Sequence, residues 1–75
     1  MTTETPVMTL ESRIGFVAGD VFRHLYTEGQ ASLADLKREL GETPAMIAMA
    51  VGWLAREEKV TLSRKGAGYL VSLNA

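Results

Sequence analysis

Residues 32–58 read SLADLKREL-GETP-AMIAMAVGWLAREE. Ser32 is the type of residue that caps a helix, and Asp35 three positions on forms a weak capping box with it. Leu33, Leu36 and Leu40 recur at intervals of three and four and make a buried stripe. Lys37, Arg38 and Glu39 between them stay in water. Gly41 is a stop signal. Thr43 and Pro44 restart the chain as N-cap and first helical position, predicting a helix over residues 44–58. Its core stripe is Ile47, Ala50, Val51 and Leu54. Two capped helices joined by a short glycine-bearing turn make a helix-turn-helix pattern.

The flanks complete it. Upstream, residues 10–26 carry a helical stripe of Ile14, Ala18, Val21 and Leu25, with Val17 and Phe22 beside it. Gly15 and Gly19 lie on the edge of that stripe. Each costs about 1 kcal/mol relative to Ala in a helix interior, so both predict close approach by another element. Gly29 reads as a left-handed cap, and Gln30-Ala31 as a very short strand. Downstream, residues 60–63 (VTLS) and 69–73 (YLVSL) alternate as strands do. Residues 64–68 (RKGAG) between them predict a hairpin loop with two cations at its tip. Val60, Leu62, Tyr69, Val71 and Leu73 are expected to face the helices. Leu70 points outward unless the short Ala31 strand or a partner covers it. The order is helix, short strand, helix, helix, strand, wing, strand. That is a winged helix-turn-helix, mainly α with a small antiparallel hairpin.

The chain of 75 residues holds one domain, expected over residues 9–75 behind a tail of residues 1–8 that is Thr-rich and without period. Hydrophobic residues make up 47%, enough for one core. The absence of cysteine excludes disulfides and thiolate chemistry, and with His24 the sole histidine no metal or other cofactor is expected. The net charge is -1 and the pI about 5.7, against the basic excess of a dedicated DNA binder. No apolar run approaches a membrane span and no signal peptide is visible, so a cytoplasmic location is expected.

The segments IGFVAGDVFRHL, SLADLKREL and AVGWLAREEKV resemble a small uncharacterised bacterial and archaeal family of stand-alone winged helix-turn-helix domains. The resemblance runs from about Ile14 to Leu73. Its most specific part is Gly52-Trp53-Leu54-Ala55-Arg56-Glu57 with Lys59-Val60, joined by Ala18-Gly19. Glu58 departs from it, standing where the family often has Gly or Asn, which bears on how the helix ends and enters the strand. The resemblance implies a fold and carries over no catalytic residue.

Candidate functional residues fall into two sets. Arg64 and Lys65 at the wing tip suit phosphate contacts, and Lys37, Arg38 and Arg56 would extend that basic surface. The plainer alternative is a solvated mixed-charge face, since Glu39, Glu42, Glu57 and Glu58 are close in sequence. Base readout is a harder case. A recognition helix reads through its N-terminal residues, and here that end offers Pro44, Ala45, Met46 and Ala48. Met46, Met49 and Trp53 form an adjoining stripe of adaptable, high-area side chains suited to protein contact. Their plainer role is internal, with Trp53 closing the core against the wing strands. His24 and Asp20, one turn apart, have no nucleophile or triad-like spacing, so no enzyme activity is expected.

Two functions stand almost level. One is a DNA-associated regulatory domain that binds weakly through phosphate contacts. The other is a protein-interaction or self-association module, with a foreign partner or a homodimer, that kept the fold and lost the reader. Residue chemistry favours the second, but the habitual use of this fold puts the first slightly ahead. A continuous positive stripe around the third helix and wing would favour DNA, and an apolar patch ringed by acid would favour protein.

Overall fold

Thr9 caps the first helix, accepting a hydrogen bond from the Ser12 N–H through its hydroxyl, in a computed structural model that describes residues 9–74. The tail expected over residues 1–8 lies outside the described residues, as does Ala75. The elements run α1 (Leu10–Glu28), β1 (Ala31–Ser32), α2 (Leu33–Leu40), α3 (Pro44–Arg56), β2 (Val60–Lys65) and β3 (Gly68–Leu73). The sheet is antiparallel in the order β1–β3–β2, so β3 is central. The winged helix-turn-helix expected from the sequence is the architecture observed.

The helix boundaries follow local chemistry. Gly29 ends α1 at φ 88°, its N–H donating to the Leu25 carbonyl. Its ψ of -168° carries the chain away in extended form, so the residue turns the chain at positive φ without adopting the left-handed helical geometry read from the sequence. Ser32 caps α2 in a full capping box. Asp35 N–H donates to its hydroxyl at 3.0 Å and Ser32 N–H donates to the Asp35 carboxylate at 3.3 Å. Gly41 adopts the left-handed conformation and closes α2. Thr43 caps α3 through the Met46 N–H, with Pro44 in the first turn.

Val17, Ala18, Val21 and Leu25 of α1 meet Met46, Ile47, Ala50, Val51 and Leu54 of α3 in the core. Leu36 of α2 and Val71 of β3 are sealed within it. Ile14, Phe22, Leu33, Leu40 and Leu73 pack against its edge. Leu70 is half-buried, because Ser32 of β1 pairs beside it.

Two expectations need correction. First, α3 stops at Arg56, and Glu58 takes φ 60°. Its N–H donates to the Ala55 carbonyl and the Lys59 N–H to the Leu54 carbonyl, which folds the chain back towards β2. This is the position where the resemblance places Gly or Asn, the residues that enter the left-handed region most readily. Second, the wing loop is two residues, not five. Lys65 pairs with Gly68 and Arg64 with Tyr69, leaving Gly66 and Ala67 as the turn. Gly66 has φ 60°, which suits the first central position of a tight hairpin turn. Arg64 and Lys65 therefore end β2 on opposite faces rather than sharing a tip.

Candidate functional site

The outer surface of α3 is set by its small residues. Ala45, Ala48 and Gly52 are exposed, with Met49 at 40% and Trp53 at 41% exposure. Met46, grouped with those two from the sequence, is only 7% exposed and belongs to the core. The α3 core stripe is centred between Met46 and Val51, because α1 packs along the Met46–Ala50 side. Of the stripe read from the sequence, Met49 and Trp53 remain at the surface.

Trp53 does not close against the wing strands. Its indole lies over Gly15 of α1, so close that a Cβ there would sit 3.3 Å from the ring. The first of the two helix glycines is explained by this approach. Gly19 is not, since a Cβ would meet only the end of the flexible Arg23 side chain at 3.6 Å. Trp53 and Phe22 wall a cavity of about 250 Å³ floored by Gly15, Ala18 and Gly19, with Lys59 reaching over the Phe22 ring.

On the other flank of α3 two shallow clefts meet at Leu33. One, of about 190 Å³, is lined by Leu33, Ala48, Val51, Gly52, Leu62 and Tyr69. The other, of about 230 Å³, is lined by Leu33, Ala34, Lys37, Pro44 and Ile47. Leu62 and Tyr69 face the helices, as expected, yet they remain 40% and 41% exposed. Ala48 and Gly52 opposite them are too small to reach across.

The candidate cations divide by their partners. Arg38 donates to Asp35 at 2.9 Å and lies 3.6 Å from Glu39, so its charge is locally satisfied. That contact, with the Ser32 amide and hydroxyl, holds the Asp35 carboxyl below its ordinary value, and Asp35 in turn raises the Arg38 guanidinium. Arg38 is thus a poor member of the basic surface read from the sequence. Arg13 is paired with Glu42, Arg23 with Asp20, and Lys59 with Glu57. Among the described residues Lys37, Arg56, Arg64 and Lys65 form no ion pair with a carboxylate. Arg64 lies over the Tyr69 ring, 5.4 Å from its centroid. The surface is neither a continuous positive stripe nor an apolar patch ringed by acid. It is an apolar cleft with unpaired cations at its ends.

Among the described residues, no group of His, Asp or Glu is arranged to hold a metal, and no helix is long and apolar enough to cross a membrane.

The whole of this arrangement, from α1 through the short strand β1 and the helix-turn-helix to the hairpin, is matched by a family profile, Winged helix-turn-helix domain (DUF2582), over residues 8–73. The chain belongs to this family. It is also similar to an archaeal relative, the uncharacterized protein MJ1608 of Methanocaldococcus jannaschii. The two are 33% identical over 64 residues, which covers 81% of this chain and 90% of the relative.

Proposed function

We propose that the domain is a protein-interaction module built on the winged-helix scaffold, with α3 facing a partner chain rather than the floor of a DNA groove. One observation carries the reading. Through its first turns α3 presents Ala45, Ala48, Met49 and Gly52 to solvent, and none has a side-chain group able to hydrogen-bond a base edge. Met49 and Trp53 add exposed, adaptable apolar area beside them.

The test is a photo-crosslinking amino acid placed at Met49 and, as a control, at the exposed Thr61. A discrete protein adduct at position 49 and none at 61 is the expected result. Sedimentation over a concentration series then tells a second copy from a foreign chain. No adduct at position 49 in cells that express the domain overturns the reading.

A second reading is supported by family membership and by the unpaired Lys37, Arg56, Arg64 and Lys65. It is weak association with nucleic-acid backbones through phosphate contacts. Unrelated duplexes would then bind alike, salt would abolish the binding, and Arg64→Ala with Lys65→Ala would reduce it equally for all of them. Sequence discrimination that maps to Ala45, Ala48 or Met49 would restore α3 as a base reader.

A further inference from the structure

We infer that the cleft running from α2 across α3 to the wing receives an amphipathic helix of a partner protein, apolar on its docking face and acidic along its flanks. The inference rests on the proposal that α3 is a protein-facing element, and it names the chemistry of what α3 faces.

A second apolar stripe of α3 forms the floor. Pro44, Ile47, Ala48, Val51 and Gly52 follow one another at helical spacing, and each lines one of the two clefts that meet at Leu33. Ile47 and Val51 also serve the core, so this floor is rigid. Ala48 and Gly52 leave it open. A Cβ added at Gly52 would meet no atom within 4 Å. Leu62 and Tyr69 form the far wall. From Pro44 to Gly52 the floor runs about 12 Å at the α-helical rise. That length accepts roughly two turns of a docked helix, with anchors at one-turn spacing.

The polarity of the lining selects the guest. Apart from the Tyr69 hydroxyl and the Lys37 ammonium, its side chains are apolar. A nucleobase inserted here would lose water from its hydrogen-bonding edge and find little in return. An apolar side chain incurs no such loss. The ends of the cleft set the charge. Lys37 stands at the α2 end and Arg64, over Tyr69, at the wing end, both without a carboxylate partner among the described residues. Acidic flanks on the guest would complement both cations, and basic flanks would be repelled.

Two model peptides test this by NMR titration of the 15N-labelled domain. Both are amphipathic helices with leucine anchors. One has Glu at its flanks and the other Lys, and a single-stranded oligonucleotide is the third probe. The acidic peptide is expected to shift the amides of Ala48, Gly52 and Tyr69, with the basic peptide at least tenfold weaker. Lys37→Glu with Arg64→Glu should reverse that preference. Gly52→Leu should fill the cleft and abolish binding, while the fold survives because the space at Gly52 is open. The inference is overturned by equal binding of the two peptides, by shifts confined to the Trp53–Gly15 cavity, by cleft shifts from the oligonucleotide alone, or by no shifts with millimolar acidic peptide. Adducts at position 49 that persist in Gly52→Leu, with no peptide binding to wild type, would sink the cleft alone. Absence of both position-49 adducts and peptide shifts in wild type would sink the underlying reading as well.

Discussion

Glu58 is the non-glycine residue with positive φ among those described. An L-residue in this region is destabilised by about 1–2 kcal/mol. The strain is retained because the Glu58 carbonyl accepts a hydrogen bond from the Asn74 side chain at 2.7 Å and its N–H reaches Ala55. We expect Glu58→Gly to stabilise the domain by about 1 kcal/mol after the offset from a freer unfolded chain, and Glu58→Ala, which keeps a Cβ, to gain far less. Urea unfolding midpoints of the two variants would separate the cases. The α1 glycines make a second pair. Gly19→Ala meets only ordinary contacts, so the helix-propensity gain of about 1 kcal/mol should appear nearly whole. Gly15→Ala presses on the Trp53 ring and should gain measurably less. Equal thermal shifts for both would mean that Trp53 does not seat on α1.

α2 is a short element held by its ends, and Asp35 serves it twice, as capping partner of Ser32 and ion-pair partner of Arg38. Because the folded carboxyl is held below its ordinary value, its contribution is complete above the ordinary carboxylate range. That contribution is lost as pH falls through the lowered value. We therefore expect Asp35→Asn to be less stable than wild type at neutral pH, with the gap narrowing on acidification. Denaturation series at several pH values would show it, and a constant gap would contradict it. The ends of α2 and the start of α3 were legible in the sequence, because Ser32, Asp35, Gly41, Thr43 and Pro44 each act locally. The phase of α3 was less so. Nearly every residue before Arg56 is apolar or small, so periodicity marks Ile47 and Leu54 as buried without saying on which side the stripe widens. Met46 went inside because α1 packs there. The wing was misread for a related reason. Arg64 and Lys65 look like loop residues by polarity, but a single positive-φ glycine sufficed for the turn and let both join β2. The pairing of Arg38 with Asp35 follows from their i, i+3 spacing, which the sequence contains. The cleft beside α3 was not visible, since it depends on Leu62 and Tyr69 lying opposite residues too small to cover them.

At the scale of the molecule, α1, α3 and the sheet share one core, with Val71 of the central strand sealed among residues of all three helices and β1. Such an arrangement should unfold as one unit. Trp53 is the sole tryptophan, and its seat on Gly15 makes it a reporter of the α1–α3 contact. We expect its fluorescence and the far-ultraviolet helix signal to give coincident denaturation curves. An earlier fluorescence transition would show that the α1–α3 face opens on its own. Ala18→Leu should move both curves together, since overpacking this fully buried point costs about 1–3 kcal/mol.

The strand order has a consequence in time as well as space. β3 lies between β1 and β2, yet it is the last of the three along the chain. On a ribosome Ala31 emerges long before Val71, with which it pairs. At about 5–20 residues per second the wait lasts some seconds. Throughout that interval the nascent helices have no sheet to close upon, and the surface destined for Val71 stays wet and adhesive. The vulnerable moment of this domain is thus its birth, and variants that weaken β3 should show first as lost yield during synthesis.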